Sequence, residues 1–399
     1  MSGHWQRRLA LILAGLQLLL GLRVCLRLAR SANGSRIQRT KKADPDRVTV
    51  IVPVLNERKR LAPCLDGLLA QPEMVADILV VDGGSTDGTR ELVRLFASRE
   101  PRLNHIDASP VPAGINGKAY GLQMGLEHAA LDTRWILTID ADVRPAPDLV
   151  PSLLAHARQE GVLALSVATD QGLSGAAEGL VHPSLLASLV YRYGIPGGAT
   201  DDIAGVQANG QCFLFERETL EGVGGFTGVQ DSICEDVTLA RELANAGYRV
   251  GFYESDDLVT TAMYDGWRDA WLNWTRSLPT WDRFSGGMTA LGLLEVALVQ
   301  ALPVPVAAGL GLTGRRGPLW LVNLSLVFVR IGTLAGMARA YPGRPWTYWL
   351  SPLVDLATAV QLIINTIRRQ HTWRGRPIVR GQDAATEALE VAHEHRGGS

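Results

Sequence analysis

The sequence predicts an α/β domain flanked on both sides by helices long enough to enter a membrane. Two observations predict this architecture. Between about residues 47 and 255, β-branched runs alternate with segments of helical periodicity, as in a sheet whose strands are joined by helices. An uncharged apolar run, Leu9 to Leu22, precedes this region, and three longer apolar segments follow it.

Length, charge and cysteine usage set the broad class. A chain of 399 residues has room for two or three domains. The formal net charge is −1, so no overall basic field favours nucleic acid as a partner. The cysteines show no paired spacing, which indicates reduced thiols facing a cytoplasm and neither a disulfide framework nor a zinc site. They are Cys25, Cys64, Cys212 and Cys234.

The amino-terminal apolar run predicts a membrane anchor over residues 1–30. Basic residues follow it and a small-residue cleavage site does not, which favours an anchor over a cleaved signal peptide or an amphipathic surface helix. Residues 31–46 are predicted to be a basic linker. Because basic residues mark the cytoplasmic side of a membrane segment, we expect the middle of the chain to be cytoplasmic.

Three apolar segments near the other end predict a multi-pass membrane region over residues 286–367, with two or three crossing helices. Each is long enough to span about 30 Å of hydrocarbon, and each carries one charge: Glu295, Arg330 or Asp355. Long core helices of a soluble domain are the alternative. Prolines 303 and 305 favour a partial first crossing, so we expect the basic, then polar tail, 368–399, to be cytoplasmic.

Alternating elements between these apolar regions predict an α/β domain over residues 47–260. Apolar, β-branched runs predict strands at 47–54, 77–82, 102–107, 134–140 and 162–168. Helical periodicity predicts helices at 57–69, 87–96, 116–129 and 147–157, and a later helix from 235 precedes a strand at 248–253. This alternation implies a mostly parallel sheet with helices on both faces and ligands beyond the carboxyl ends of its strands.

The run VVDGGSTDGT, residues 80–89, ends the second predicted strand in a small polar loop. Gly83 and Gly84 would let the backbone approach a ligand closely. Asp82 would direct a carboxylate into the crevice at the strand end. An ordinary turn with a helix cap is the alternative, and it explains the later Asp87 better than it explains Asp82.

The run LTIDADV, residues 137–143, places Asp140 and Asp142 one residue apart at the end of a predicted strand. On an extended chain this spacing points both side chains the same way. Two carboxylates there would suit Mg²⁺ or Mn²⁺, with diphosphate oxygens completing the coordination shell. Two solvated turn aspartates are the alternative.

The run CEDVTLARELANAGYRV, residues 234–250, places Glu235 and Asp236 at the start of an amphipathic helix. Acidic residues at a helix start are also favoured by the helix dipole. The pattern alone therefore leaves open whether these carboxylates take part in chemistry.

Four motifs together resemble the family-2 glycosyltransferases, which have the nucleotide-sugar-binding fold called GT-A. VIVPVLNE, VVDGGSTDGT, IDADV and EDVTLARELANAGYRV occur in that order over roughly residues 47–255. The flanking apolar segments resemble the membrane subgroup that includes ceramide glucosyltransferase and the hopanoid and carotenoid glycosyltransferases. The short run TWRGRPI, residues 372–378, resembles an ending seen in the last two.

The resemblance implies roles for individual residues. It implies donor binding by eight residues: Pro53, Asn56, Glu57, Asp82, Gly83, Gly84, Lys118 and Asp140. It implies metal binding by Asp140 and Asp142, and general-base catalysis by Asp236 with Glu235 beside it. A surface helix lysine is the alternative for Lys118.

One region departs from the processive synthases and ceramide glucosyltransferase, which carry a Gln/Arg-x-x-Arg-Trp motif after the base. Here residues 265–284 read DGWRDAWLNWTRSLPTWDRF and keep only the tryptophan of that motif, which counts against a polymerising synthase. We expect residues 261–285 to form a Trp- and Arg-rich interfacial helix, with Trp271, Trp274 and Arg276 near the lipid acceptor. A helix packed between the soluble domain and the membrane is the alternative.

The resemblance implies an inverting, metal-dependent hexosyltransferase. It would transfer a sugar from a UDP- or GDP-sugar to a lipid alcohol in the bilayer, such as a carotenoid or a related isoprenoid. Its catalytic domain would be cytoplasmic. A polysaccharide synthase and a catalytically silent membrane scaffold are the alternatives, and intact carboxylates at Asp140, Asp142 and Asp236 argue against the silent scaffold.

Overall fold

The structure is a computed structural model of the chain. It describes residues 2–262, 264, 266–280, 282–368, 370–373 and 376–379. The chain divides into two compact units. The helical unit contains the described residues of 1–35, 170–197 and 262–367, and the α/β unit contains those of 36–169, 198–261 and beyond 367. The domain limits predicted from the sequence stay predictions.

Helices and strands are numbered in chain order. The described helices are α1 Ser2–Ser31, α2 Leu61–Leu69, α3 Thr89–Ala97, α4 Gly117–His128, α5 Leu149–Glu160, α6 Ala176–Tyr193, α7 Arg217–Gly222, α8 Glu235–Asn245, α9 Trp267–Ser277, α10 Gly286–Glu295, α11 Pro303–Leu312, α12 Pro318–Met337 and α13 Asp355–Ile367. The described strands are β1 Val48–Val54, β2 Val75–Asp82, β3 Leu103–Asp107, β4 Trp135–Ile139, β5 Val143–Pro145, β6 Ala164–Ala168, β7 Asp170–Gln171, β8 Gly198–Thr200, β9 Cys212–Glu216, β10 Val250–Glu254, β11 Val259–Thr261, β12 Gln370–Trp373 and β13 Arg376–Val379.

The α/β unit is built on a sheet whose described strands lie in the order β3-β2-β1-β4-β9-β6-β10-β8. β1 is parallel to β2 and β4, β2 is parallel to β3, and β6 is parallel to β10. β9 is antiparallel to both of its neighbours, β4 and β6, and β8 is antiparallel to β10. The predicted α/β alternation is confirmed, but the sheet is more mixed than we expected, because its two antiparallel strands, β8 and β9, are not among the predicted strands.

Parallel pairing brings the ends of four strands to one edge of the sheet. The register places Val54 opposite Asp82, and Asp82 opposite Asp107. Ile51 of β1 pairs with Thr138 of β4. The carboxyl ends of β1, β2, β3 and β4 therefore lie along one edge, which is where ligands bind in sheets of this kind.

Apolar side chains cover both faces of the sheet. Val48, Val50 and Val52 of β1 pack in one cluster with α2 and α5. Ile51, between them in sequence, packs in a second cluster with α4 and α8. Because successive strand residues point to opposite faces, this alternation confirms the prediction of helices on both faces.

The basic segment before β1 is tied to the α/β unit. Ile37 is fully buried in the first apolar cluster. Arg36 Nη1 lies 3.1 Å from Asp256 Oδ1, and Arg39 Nη1 lies 3.4 Å from Asp148 Oδ1. The part of the predicted linker from residue 36 to residue 39 is therefore ordered, because its apolar and charged side chains contact the α/β unit. These partners are distant in sequence, so local sequence does not reveal them.

The helical unit contains four stretches that are long and apolar enough to cross a membrane, counted over the described residues. They are His4–Ser31, Gly286–Leu312, Pro318–Ala340 and Trp346–Ile367. A π-helical segment, Val296–Ala301, joins α10 to α11 inside the second stretch. By length and composition these stretches support a membrane protein, and the number of full crossings stays a prediction.

The charges in the three carboxyl-terminal stretches are paired inside the helical unit. Glu295, 1% exposed, has its carboxylate oxygens 2.7 Å from Arg23 Nε and 2.8 Å from Arg27 Nη1. Arg330 Nε lies 2.7 Å from Asp355 Oδ2, and both residues are buried. Opposite charges at close range offset much of the cost of removing each ion from water.

Candidate active site

The first part of the site is the loop that follows β2. Asp82 is fully buried, and its Oδ1 accepts hydrogen bonds from the amides of Gly84 at 3.0 Å and Ser85 at 2.8 Å. Its Oδ2 lies 3.3 Å from Arg90 Nε. Gly84 has a φ of 99°, a left-handed conformation that favours glycine. The carboxylate of Asp82 thus shapes its own loop, and its role in donor binding stays a prediction.

The loop after β1 is joined to the loop after β2. The Asn56 amide donates to Ser85 Oγ at 2.9 Å, and Asn56 Oδ1 accepts from the Thr86 amide at 2.9 Å. The Glu57 amide donates to Thr89 Oγ1 at 2.9 Å. Asn56 has a φ of 57°, a strained conformation for a non-glycine residue. Two predicted donor-binding residues, Asn56 and Glu57, therefore lie beside the Asp82 loop.

Pro53 and Gly83 complete that part of the edge. Pro53 pairs with Val81 across β1 and β2. The Gly83 amide donates to the carbonyl of Val54 at 3.0 Å. Both residues therefore lie where β1 and β2 end, as the sequence predicted.

The Asp-x-Asp pair follows β4, but in a turn. β4 ends at Ile139, and Ala141 and Asp142 form a turn that leads into β5. Our expectation of an extended backbone through Asp140 and Asp142 is therefore wrong. The amide of Val143 donates to the Asp140 carbonyl at 3.2 Å, and this local bond favours a turn over continued extension.

The two carboxylates lie close to different cations. Asp140 Oδ1 is 2.8 Å from Lys118 Nζ, and Asp142 Oδ2 is 4.0 Å from Arg60 Nη1. Their side chains are 26% and 14% exposed, respectively. Both are hard oxygen donors, so the pair fits Mg²⁺ or Mn²⁺ in chemical type. The described residues contain no group of three or more His, Cys, Asp or Glu side chains that could hold a metal ion.

Lys118 links the Asp-x-Asp pair to the start of α8. Its Nζ lies 2.8 Å from Asp140 Oδ1 and 3.0 Å from Glu235 Oε1. Burial lowers the pKa of Lys118, but the carboxylates of Asp140, Glu235 and Asp236 outweigh burial and hold that pKa well above its usual value. Lys118 is therefore a cation inside an acidic cluster, not the surface lysine of the alternative interpretation.

Asp236 lies in the same cluster, at the first turn of α8. Its Oδ2 accepts the amide of Gly210 at 2.6 Å, and its Oδ1 accepts the amide of Val237 at 2.8 Å. Burial and the neighbouring Glu235 carboxylate raise the pKa of Asp236 to about 6, although Lys118 and the two amides oppose the shift. A carboxylate with such a pKa is ionised near neutral pH and basic enough to accept a proton.

Sequence reasoning missed two residues of this cluster. A side chain at Gly210 would place a Cβ 2.8 Å from Lys118 Nζ and 3.2 Å from Asp236 Oδ2. Only glycine therefore fits without displacing both groups. Asn116 donates from Nδ2 to Glu235 Oε2 at 3.2 Å. An asparagine before a helix is a recognisable cap, but nothing local signals the bond to Glu235 or the approach of Gly210.

The predicted acceptor residues belong to the helical unit. Trp271 and Trp274 of α9 pack against an apolar cluster that includes Val181, Leu185 and Leu362. The Trp274 ring centroid lies 4.2 Å from that of His182. This packing matches the alternative of a packed helix for both tryptophans. Contact of Trp271, Trp274 and Arg276 with an acceptor stays a prediction, and residues 374 and 375 of the TWRGRPI run lie outside the described residues.

Family comparisons identify the class of protein. The family model described as Glycosyl transferase family 2 matches residues 49–219, and the one described as Glycosyl transferase family group 2 matches residues 135–363. The second match covers more than half of the chain. The chain therefore belongs to the family-2 glycosyltransferases, as the ordered motifs predicted.

Two curated relatives are similar to this chain at low identity. The succinoglycan biosynthesis protein ExoA of Rhizobium meliloti (strain 1021) is 27% identical over 53% of this chain and 62% of its own length. A 4,4'-diaponeurosporenoate glycosyltransferase of Staphylococcus aureus (strain bovine RF122 / ET3-1) is 26% identical over 58% of this chain and 61% of its own length. The chain thus spans about three fifths of the length of the curated relatives it matches.

A solved structure supports the fold. The mannosyltransferase PcManGT from Pyrobaculum calidifontis, solved in complex with GDP-Man and Mn²⁺, has a TM-score of 0.54 and 22% sequence identity. The match covers 88% of this chain and 99% of that chain. The predicted GT-A fold is thereby confirmed.

Proposed function

We propose that this protein is a membrane-anchored, inverting glycosyltransferase that moves a sugar from a nucleotide-diphosphate donor to a hydroxyl group of a membrane lipid. The carrying observation is the cluster in which Lys118 lies within 3.0 Å of both Asp140 and Glu235, with Asp236 beside it. Donor and base residues, far apart in sequence, thus meet in one place. Membership of a glycosyltransferase family supports the reaction class.

Asp236 is the general base of the proposed reaction. Its carboxylate takes the proton of the acceptor hydroxyl while the hydroxyl oxygen attacks the anomeric carbon of the donor sugar. The bond from that carbon to the diphosphate breaks as the new bond forms on the opposite face. A single displacement with one base and no covalent intermediate inverts the anomeric centre.

Lys118, Asp140 and Asp142 serve the donor side of the site. Asp140 and Asp142 would hold a divalent ion, which supplies charge neutralisation for the departing diphosphate. The Lys118 ammonium adds a fixed positive charge next to Asp140. Asn56, Glu57 and the loop after Asp82 border the nucleoside in this proposal. The complex of the P. calidifontis protein with GDP-Man and Mn²⁺ agrees with such a donor and metal.

The acceptor is proposed to be an apolar lipid alcohol. Four stretches long enough to cross a bilayer support attachment to the membrane in which such a lipid resides. The name of the S. aureus relative supports a carotenoid-type acceptor. The basic residues after α1 favour a cytoplasmic active site, where nucleotide sugars are made.

A second candidate is the transfer of a sugar during polysaccharide assembly. The name of the R. meliloti relative favours it. The departure from the processive-synthase motif at residues 270–274 disfavours a polymerising enzyme. Addition of single sugars to a lipid-linked saccharide is the form of this candidate that fits the sequence.

The deciding experiment uses the full chain purified in detergent. Labelled UDP- and GDP-sugars are offered with Mn²⁺ or Mg²⁺ and with either a membrane lipid extract or lipid-linked saccharides. We expect label in an organic-soluble glycoside, abolished by EDTA and absent with Asp236→Asn. Label only in saccharide products would favour the second candidate, and no transfer with any donor would contradict both.

A further inference from the structure

Asn116 is the residue before α4, and its side chain is nearly fully buried, with 3% exposure. Its Oδ1 accepts the amides of Lys118 at 2.9 Å and Ala119 at 3.3 Å. Its Nδ2 donates to the Ser232 carbonyl at 2.8 Å and to Glu235 Oε2 at 3.2 Å. All four hydrogen-bonding positions of the amide are therefore occupied.

Helix capping accounts for only half of these bonds. A cap needs an oxygen that accepts amides of the first turn, and Ser, Thr or Asp supplies one as well as Asn does. The two bonds from Nδ2 lie outside α4 and reach the segment that begins α8. Aspartate at this position would offer no donor and would bring a second carboxylate against Glu235.

Asn116 links the start of α4 to the start of α8, and these two helices carry different residues of the site. Through Oδ1, Asn116 fixes the first turn of α4, from which Lys118 reaches Asp140. Through Nδ2, it holds one oxygen of Glu235, whose other oxygen lies 3.0 Å from Lys118 Nζ. Asp236 follows Glu235 directly. The Asn116 backbone is itself anchored, because its amide donates to the Gln230 carbonyl at 2.7 Å.

We propose that Asn116 is a positioning residue. It aligns Lys118, the cation on the donor side of the site, with Glu235 and with the general base, Asp236. This inference rests on the proposed glycosyl transfer, and Asn116 acts through Lys118 and Glu235 without touching a substrate. Its replacement by a residue that caps equally well changes turnover and leaves the fold and donor binding intact. A residue with a purely structural role would not separate these effects.

The test compares Asn116→Ser and Asn116→Ala in the full-length protein. Serine keeps a capping oxygen and loses the donors to Glu235 and Ser232, whereas alanine loses both functions. Gln71→Ala is the matched control. Gln71 is a buried amide of the same unit, 3% exposed, and it donates to the carbonyls of Gly67 at 2.9 Å and Ala146 at 2.7 Å.

For Asn116→Ser we expect kcat to fall about tenfold or more, since a hydrogen bond to a charged group is lost, with the donor KM close to wild type and a smaller fall in Tm than in Asn116→Ala. For Asn116→Ala we expect the same loss of kcat, a higher donor KM and a lower Tm. Gln71→Ala should lower Tm and leave kcat per folded molecule unchanged. A wild-type kcat in Asn116→Ser would overturn the proposal.

A second measurement does not depend on sugar transfer. Asn116→Ser is combined with Glu235→Ala, and Tm is measured for both single variants and the double variant. We expect Asn116→Ser to lower Tm less in the Glu235→Ala background, because its partner is already absent. Equal shifts in both backgrounds would show that Asn116 does not hold Glu235. Absence of transfer by the wild-type protein would instead contradict the proposed function.

Discussion

Buried charges occur in both units of the chain, and one balanced pair in the helical unit contrasts with one unbalanced cluster in the α/β unit. In the helical unit, Arg330 and Asp355 form a close pair, 1% and 0% exposed. In the α/β unit, the single ammonium of Lys118 faces the carboxylates of Asp140 and Glu235 and also acts on Asp236. A balanced pair stabilises one arrangement of helices. An acidic cluster with one lysine has excess negative charge, which can attract a further cation or bind a proton.

The largest effect is expected at the unbalanced cluster. Asp236→Asn should lower turnover by about 10²–10⁴-fold, because positioned general-base catalysis is lost. Tm should change little, because two effects oppose each other. The amide can accept from Gly210 but not also from Val237, whereas removal of a carboxylate whose ionisation burial disfavours is stabilising. Initial rates at saturating donor measure this effect. Asp66→Asn, an exposed carboxylate on α2, is the control and should retain full activity, and near-normal turnover in Asp236→Asn would remove Asp236 from its assigned role.

The balanced pair should respond in stability instead. Arg330→Met leaves Asp355 buried without its cation, which is expected to cost about 3–5 kcal/mol of the free energy of unfolding. The double variant Arg330→Met, Asp355→Leu should recover part of that loss, because the unpaired charge is removed while Ser184 and Gln300 lose an acceptor. Unfolding of the detergent-solubilised protein measures both. A double variant as unstable as the single one would show that the pair is not the cause.

The pH dependence of turnover tests how the charges of Glu235 and Lys118 shift the pKa of Asp236. Burial and Glu235 raise the pKa of Asp236 to about 6, against the opposing effect of Lys118. Burial also raises the pKa of Asp140 to about 6. Both carboxylates work when ionised, so kcat should rise with pH through about 6 and level off above it. Glu235→Gln removes a charge that raises this pKa, so the acidic limb should move to lower pH. Lys118→Met removes a charge that lowers it, so the limb should move to higher pH, and shifts in the same direction would contradict the assignment to Asp236.

Local sequence predicted the parts of the fold whose signals are local. The strands after Arg47 and after Glu73, the loop at Asp82 and the helix that starts at Glu235 all appear near their predicted limits. Their apolar periodicity, glycines and acidic first turn depend on neighbours in sequence. The Asp140 and Asp142 pair was found for the same reason, although its turn was not.

The missed features depend on contacts between residues far apart in sequence. Arg23 and Arg27 pair with Glu295 across about 270 positions of the chain. β9 lies between β4 and β6 and runs antiparallel to both. No local pattern encodes this placement. Asn116 looks like a helix cap from its own neighbours, and its bond to Glu235 requires the fold to exist first.

The smallest effect on stability is expected at Arg23, a half-exposed partner of Glu295 in the helical unit. Arg23→Gln should cost about 1 kcal/mol or less, because the Arg23 side chain is 47% exposed and an exposed ion pair contributes little. Arg27 keeps Glu295 neutralised, since its Nη1 and Nη2 lie 2.8 and 3.0 Å from the two carboxylate oxygens. Arg27→Gln is the matched comparison and should cost more, because that side chain is only 20% exposed. Equal losses of unfolding free energy in the two variants would contradict this expectation. They would show that Arg23 and Arg27 contribute equally to neutralising the buried Glu295 carboxylate.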